Sequence, residues 1–189
     1  MRAERAVLAL PPRLVRGLGM KVPDAPTWMA GHAKLIAVYD RPFWRAAGLN
    51  GDAISHRGPL AEIHDASPGD GREEGALFGF ALPGAARETD FEAAALGQLA
   101  RLFGPEAGQP RKVFVKDWSR DAATATQADL VAPPGHPTYR PIAPQGRIIF
   151  AGTETAQADG GFLEGALEAA EAALALLENR DVARQLPKG

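Results

Sequence analysis

Short apolar runs alternate with glycine- and proline-rich segments along this chain, and most of the runs have the length of a β-strand. Runs of about four to eight apolar residues that end at turn-forming residues are typical of buried strands. The clearest example is AVLAL, which Pro11 and Pro12 bring to an end. The same pattern predicts strands at 6–10, 33–39, 61–64, 76–82, 112–118 and 147–152.

Two longer segments repeat apolar residues at helical spacing. The first begins after Thr89, which has capping-box spacing with Glu92, and ends before Gly104. The second covers 162–178, and alanine along one side of it predicts close packing against a sheet. Its predicted apolar face contains Leu163, Ala166, Leu167, Ala170, Leu174 and Leu177.

Other segments lack a regular pattern. Residues 13–31 are punctuated by glycine and proline and are predicted to be irregular, and 179–189 are predicted to be a frayed tail. A turn is predicted at Phe43 and Trp44. Residues 119–145 form a polar, proline-rich stretch, and so long a connection inside a compact domain usually lines a site or wraps a neighbour.

Composition narrows the class of protein without identifying a function. The 189 residues are 46% hydrophobic and carry a net charge of −2, which is typical of a soluble globular protein and argues against nucleic-acid or membrane binding. The absence of cysteine excludes disulfides and a cysteinyl cofactor link, and it is compatible with a cytoplasmic location. We expect no metal site, because the histidines are dispersed and each is interpreted as a surface residue: His32, His56, His64 and His136.

The turn between the last strand and the last helix is the best candidate site by its chemistry. The first amides of a helix lack internal partners, and the helix dipole places about half a positive charge there. Gly160 and Gly161 would let another molecule approach this backbone closely. An anionic or carbonyl-bearing group could therefore bind at Phe162 and Leu163, although many α/β units have a glycine turn here that binds nothing.

Four segments together resemble the flavin-dependent monoamine oxidase family. Residues 147–177, RIIFAGTETAQADGGFLEGALEAAEAALALL, resemble its C-terminal signature. The others follow in the family's order: AVLALPP at 6–12, KLIAVYDRPFWR at 34–45, and KDW at 116–118 followed by PPG. The resemblance implies an α/β (α+β) fold, with part of an FAD-binding domain at 1–14 and 146–178. It also implies a mixed-sheet substrate-binding domain with a flavin-covering loop at 15–145.

By this resemblance, the start of the last helix would face the pyrimidine end of FAD and stabilise the negative charge that gathers there on reduction. Trp118 would lie beside the flavin ring, although a strand tryptophan is more often part of a core. Gln127 stands where some members carry a flavin-linking cysteine, so FAD would be bound non-covalently. The implied FAD contacts around the helix start are Gly152, Thr153, Gly161, Phe162 and Leu163.

Lys34 is the candidate catalytic residue. From the residues alone, its ammonium would be expected to extend to water at a strand end. The resemblance instead matches it to the lysine that holds a water beside the flavin and assists reoxidation by O2. Ala128 and Phe162 stand at the two substrate-cage positions that tyrosines often occupy, so at most half of that cage is retained.

The sequence lacks the G-x-G-x-x-G motif that binds the cofactor pyrophosphate in this family. The expectation is therefore a C-terminal half that depends on a missing N-terminal half and that exposes strand edges prone to self-association. The predicted reaction is oxidative deamination of an amine with FAD as hydride acceptor and O2 as oxidant. A non-catalytic truncated remnant and part of an L-amino-acid oxidase are the alternatives; Lys34 and the PFW turn favour both oxidases over a desaturase.

Overall fold

The computed structural model describes residues 3–178, and the predicted tail at 179–189 lies outside the described residues. Within them the chain forms two units: the first contains 3–30, 122–129 and 133–178, and the second contains 31–121 and 130–132. The first holds a parallel strand pair and the second an antiparallel sheet, so the predicted mixed α/β class is confirmed. The assignment of chain segments to flavin-binding and substrate-binding domains stays a prediction.

Seven strands and four α-helices occur in the described part of the chain. The strands are β1 (Ala6–Leu8), β2 (Ala33–Tyr39), β3 (Ala53–Ile54), β4 (Leu60–Asp65), β5 (Gly75–Ala81), β6 (Lys112–Asp117) and β7 (Ile148–Phe150). The helices are α1 (Pro12–Gly17), α2 (Phe43–Ala46), α3 (Phe91–Phe103) and α4 (Leu163–Glu178). The predicted strands and both predicted helices are present, with ends that differ by about two residues or fewer.

Two local predictions are wrong. Residues 13–31 are not wholly irregular, because α1 begins at Pro12, where the fixed φ of proline suits the first helical position. The capping box at Thr89 does not form. Asp90 stands at the N-cap of α3 instead, and its side chain makes no cap bond.

The second unit is built on an antiparallel sheet with the strand order β3-β4-β5-β2-β6. Alternate side chains of β2 point to opposite faces of the sheet. The buried face of β2 carries Ala33, Leu35, Ala37 and Tyr39. Helix α3 covers this face with Phe91, Ala95, Leu99 and Phe103. The core of the second unit is therefore closed between one sheet face and one helix.

Two side chains buried in the second unit pair their polar groups with the backbone or with a carboxylate. The side chain of Gln98 accepts from the amide of Leu60 at 2.9 Å and donates to the Leu60 carbonyl at 2.7 Å. Trp44, predicted as part of a turn, lies instead in α2, where it is fully buried and donates from Nε1 to Asp65 at 3.0 Å. Although partial burial raises it, hydrogen bonds from Ser67, and then from Trp44 and Arg45, lower the pKa of Asp65 to about 2. The bonds of Gln98 and Trp44 thus hold the two ends of β4 to α3 and α2.

The first unit is built on the parallel pair β1–β7, in which Val7 lies opposite Ile149. One face of the pair packs on α4 through Ile149 and Ala173. Phe150 packs on the other side against Val15 and Val22. At the far end of α4, Arg5 donates to the carbonyls of Leu176 and Leu177 at 3.0 and 2.9 Å, as expected for a cation at a helix C-terminus.

Helix α4 packs through alanine, as predicted, but not along the predicted apolar face. Its buried positions are Gly165, Ala169 and Ala173. Leu167 and Leu174 of the predicted face are 60% and 54% exposed. Close approach selects the small residues on this face, with Gly165 against the Asp159 carbonyl and Ala173 against Ile149 of β7, so the leucines remain on the open side of the helix. Among residues 3–178 there is no helix whose length and hydropathy would let it span a bilayer.

Candidate functional site

One hydroxyl joins the end of β7 to the start of α4. Thr153 is the third residue after β7, and its Oγ1 accepts from the amide of Gly161 at 2.9 Å and donates to the carbonyl of Phe162 at 2.8 Å. The structure therefore brings together the five residues predicted to contact FAD at this end: Gly152, Thr153, Gly161, Phe162 and Leu163. The strand, the turn and the helix start form one locally fixed surface.

Two glycines in this turn allow aromatic groups to lie against the backbone. A Cβ on Gly160 would stand 2.5 Å from the Tyr139 ring, which is closer than any side chain tolerates. Gly161 has φ of 88°, in the left-handed region, and a Cβ there would meet His136 and Tyr139 at 3.2 Å. Glycine at both positions is thus required by close approach and by backbone conformation.

An aromatic cluster, formed by Trp28, His136, Tyr139 and Phe162, surrounds these glycines. The rings of His136 and Phe162 stack with centroids 5.0 Å apart and planes only 3° from parallel. Trp28 and Tyr139 approach His136 with centroid distances of 5.0 and 5.7 Å. His136 is exposed, as the sequence predicted, but it also covers one side of Phe162.

Tyr139 anchors the aromatic cluster to the backbone. Its hydroxyl donates to the carbonyl of Pro26 at 2.7 Å and accepts from the amide of Trp28 at 2.9 Å. Burial raises the pKa of Tyr139 to about 12, so the hydroxyl remains protonated and able to donate at neutral pH. No local sequence signal marked this residue, because its partners lie more than a hundred positions away in the chain.

Glu168 holds the turn that precedes α4. Its carboxylate accepts from the amides of Gln157 at 2.7 Å and Ala158 at 3.2 Å, and these bonds lower its pKa. The first amides of α4 itself have no carbonyl in a preceding helical turn. Phe162 and Leu163 at this point are 53% and 88% exposed. The helix start is therefore open to a carbonyl or anionic group, which is the chemistry that the flavin contact predicted from the sequence requires.

Glu154 is a buried acid beside the same turn. It is only 5% exposed, and its Oε2 lies 3.1 Å from the place where a Cβ on Gly152 would stand. Burial, together with the nearby charge of Asp129, raises the pKa of Glu154. No local sequence pattern marked this residue, because the acid lies within the glycine- and threonine-rich turn and has no periodic neighbour.

Asp129 is the buried anchor of the loop that carries Ala128, the predicted substrate residue, and Gln127. Its Oδ2 accepts from the amide and the hydroxyl of Thr126 at 2.8 Å each, and its Oδ1 accepts from Arg13 at 2.6 Å. Although burial raises it, these hydrogen bonds and the guanidinium lower the pKa of Asp129 below its ordinary value. Ala128 is exposed beside this anchor. Sequence reasoning missed the pair because Arg13 and Asp129 are 116 positions apart.

Lys34 and Trp118 lie in the second unit, on and just after neighbouring strands of its sheet. Lys34 is half-buried on the face opposite α3, and its Nζ lies 5.4 and 6.0 Å from the ring centroids of Phe80 and Phe78. Its ammonium thus rests against two aromatic rings. Trp118 is half-buried, with Lys116 Nζ 4.9 Å from its ring. The catalytic role of Lys34 and the flavin contact of Trp118 stay predictions.

Comparison with known proteins agrees with the sequence motifs. The model of the flavin containing amine oxidoreductase family matches residues 1–176. The chain is 33% identical over 187 residues to a "Probable flavin-containing monoamine oxidase A" of Dictyostelium discoideum, covering 88% of this chain and 40% of that protein. It is 32% identical to an L-amino acid dehydrogenase of Synechocystis, over 89% of this chain and 39% of that protein.

Solved structures show the same fold. A putrescine oxidase bound to putrescine superposes with a TM-score of 0.72 at 22% identity, covering 93% of this chain and 43% of that one. The chain therefore spans about two fifths of the length of the relatives and structures named here. Together with the glycine turn and the open start of α4, these matches show that the chain belongs to the flavin-containing amine oxidoreductase family.

Proposed function

We propose that this chain is the C-terminal part of a flavoenzyme that oxidatively deaminates an amine. The observation that carries the proposal is the open start of α4, fastened to the end of β7 by Thr153. Bound FAD would supply the redox chemistry, accepting a hydride from the amine and passing the electrons to O2. The residues of this chain would bind the flavin, hold it in its orientation and polarise its carbonyl groups.

Each residue at the helix start has a physical reason for its proposed role. The amides at Leu163 and Glu164, at the positive end of the α4 dipole, would donate to flavin carbonyl oxygens and favour negative charge there. Thr153 would hold Gly161 and Phe162 in place for that contact. Glu168 occupies the amides of the preceding turn, which keeps that turn from competing for the same group.

FAD would be bound without a covalent link, because the chain has no cysteine and Gln127 stands at the corresponding position. Its binding would also need polypeptide beyond this chain. The sequence has no G-x-G-x-x-G motif for the pyrophosphate, and the named relatives are more than twice as long as the matched region. Exposed leucines on α4 and the exposed Val7 on β1 provide apolar surface that such a segment would cover.

The substrate would be a small amine. The putrescine oxidase is a structural relative that binds a diamine, while the Synechocystis relative is named for L-amino acids. With Ala128 at one cage position and Phe162 at the other, only one aromatic wall of the expected cage is supplied by these two residues. An amino acid substrate is therefore the second candidate, favoured by that sequence relative.

The first test is flavin retention. We expect the purified chain to lose FAD on gel filtration, and to retain it when co-expressed with the part of the Dictyostelium relative that lies outside the matched region. The yellow complex should then release H2O2 from an amine panel that contains putrescine, benzylamine and L-amino acids. Stoichiometric flavin on the isolated chain would contradict the need for further polypeptide. A flavin-loaded complex that oxidises none of the panel would contradict the enzymatic proposal.

The second test concerns Lys34 in that complex. We expect Lys34→Met to slow reoxidation by O2 more than reduction by the amine, because the ammonium proposed to assist the oxygen step is removed. Lys112→Met is the matched control, since Lys112 is an exposed lysine that also lies over a phenylalanine ring, 4.4 Å from the centroid of Phe114. Stopped-flow absorbance measures both half-reactions. Equal reoxidation rates in the two variants would remove Lys34 from the mechanism.

A further inference from the structure

The rings of His136 and Phe162 stack beside the proposed substrate position. Its planes are within 3° of parallel, with 5.0 Å between centroids. An amine held between two parallel rings needs a gap of about 7 to 8 Å, twice the contact distance between non-bonded atoms. The rings of His136 and Phe162 are therefore too close together for an amine to bind between them. One face of Phe162 is covered by the chain itself.

The position of His136 is fixed by neighbours of its own. Trp28 and Tyr139 contact it from two sides, and its Nε2 lies 3.2 Å from where a Cβ on Gly161 would stand. Tyr139 is in turn held by backbone groups at Pro26 and Trp28. Several contacts, from Trp28, Tyr139 and the backbone at Gly161, therefore fix the position of the imidazole.

We propose that His136 is a positioning residue for Phe162 that determines amine selectivity by closing one face of its ring. This inference rests on the proposed function, because Phe162 holds its substrate role by resemblance. With one face covered, Phe162 offers a substrate a single face and an edge. A slim aliphatic amine fits that arrangement, whereas a flat aromatic amine is denied the second stacking surface.

The stack can be tested in the chain as it exists, without flavin or turnover. In protein labelled with 4-fluorophenylalanine, Phe162→Leu identifies the ¹⁹F resonance of residue 162. We expect His136→Ala to shift that resonance and leave those of the other phenylalanines in place, while His136→Phe retains a stacked environment. His56→Ala, which removes another exposed histidine, should shift nothing at 162. An unmoved resonance in His136→Ala would overturn the stack.

Selectivity is tested in the flavin-loaded complex with butylamine and benzylamine. We expect His136→Ala to change the ratio of the two kcat/KM values about three- to tenfold in favour of benzylamine, the range one aromatic pair supplies. The change should fall on KM more than on kcat, and His136→Phe should restore the original ratio. An unchanged ratio, or one equally altered by His136→Phe, would overturn the selectivity role. If no amine is oxidised, the proposed function and the selectivity fail together, and the ¹⁹F resonance alone decides the stack.

Discussion

The core strands of the second unit bury their leucines, whereas α4 of the first unit leaves most of its leucines exposed. In the second unit, Leu35, Leu60 and Leu77 are completely buried between a five-stranded sheet and α3. In the first unit, α4 packs on a two-stranded sheet through glycine and alanine, and its leucines at 163, 167 and 174 are all more than half exposed. The second unit has one continuous apolar core, whereas the buried apolar residues of the first unit form two small clusters.

The difference shows what each unit needs for its stability. A parallel pair of three-residue strands is too small to be stable by itself, because parallel sheets are normally covered on both faces and contain more strands. The first unit is held instead by side-chain bonds between distant segments, such as Arg13 to Asp129 and Tyr139 to Pro26. The second unit should therefore depend on apolar burial, and the first on specific polar contacts.

The largest expected effect is loss of a core leucine from the second unit. Leu77→Ala should lower the free energy of unfolding by about 3 to 5 kcal/mol, because Leu77 is fully buried and its removal leaves a cavity. Urea unfolding followed by tryptophan fluorescence measures it, with Trp44 as the tryptophan that lies in that core. A loss below about 1 kcal/mol would mean that this core is far less closely packed than described.

Asp129→Asn probes the polar fastening of the first unit. It removes the buried anion from the half-buried Arg13 guanidinium and leaves only the exposed Asp24 as its partner. We expect a loss of about 2 to 3 kcal/mol, less than for a fully buried pair because Arg13 is 16% exposed and keeps Asp24. Asp24→Asn removes the other, exposed partner of the same arginine and should cost less than about 0.5 kcal/mol. Hydrogen exchange in peptides that cover 122–130 reports the local change.

The pH dependence of this variant follows from the lowered pKa of Asp129. A carboxyl whose pKa is lower in the folded state stabilises the fold above its unfolded pKa, and that contribution is lost as pH falls through the folded value. The difference between the original chain and Asp129→Asn should thus be largest at neutral pH and shrink below about pH 4. A difference that is constant from pH 7 to 3 would mean that the lost hydrogen-bond geometry, and not the charge, causes the destabilisation.

Glu154→Gln should change the free energy of unfolding by less than Asp129→Asn does, and it should stabilise the fold where Asp129→Asn destabilises it. Because burial raises the pKa of Glu154, its contribution to stability is present below the ordinary pKa and is lost as pH rises through the raised value. Glutamine keeps the shape of the neutral acid, so the variant should be more stable than the original chain at pH 8 and equal to it near pH 4. Glu164→Gln, an exposed acid at the start of α4, is the control. A thermal melt at the two pH values decides the sign.

These effects also divide what the sequence could predict from what it could not. Strands such as β2 and β5 are local patterns, and the Thr153 turn and the start of α4 were marked by their glycines, so they could be predicted. The Asp129–Arg13 bond and the His136–Phe162 stack join residues far apart in the chain, and a single sequence carries no signal for them. The buried face of α4 was predicted wrongly because leucine is more hydrophobic than glycine and alanine, while the close approach of β7 and of the Asp159 carbonyl to this face requires small residues.

The smallest expected effect is the most direct test of the contrast between the units. Leu174 is 54% exposed, so Leu174→Ala should change the free energy of unfolding by less than about 0.5 kcal/mol, whereas Leu77→Ala should lower it by about 3 to 5 kcal/mol.

The double substitution of the exposed residues, Leu167→Ala with Leu174→Ala, should reduce self-association measured by sedimentation velocity, because it shrinks the apolar surface available to a second copy. In the flavin-loaded complex these substitutions should become destabilising, since the added polypeptide would then cover both leucines. If Leu174→Ala were as costly in the isolated chain as Leu77→Ala, α4 would already be covered and the first unit would be complete without any partner segment.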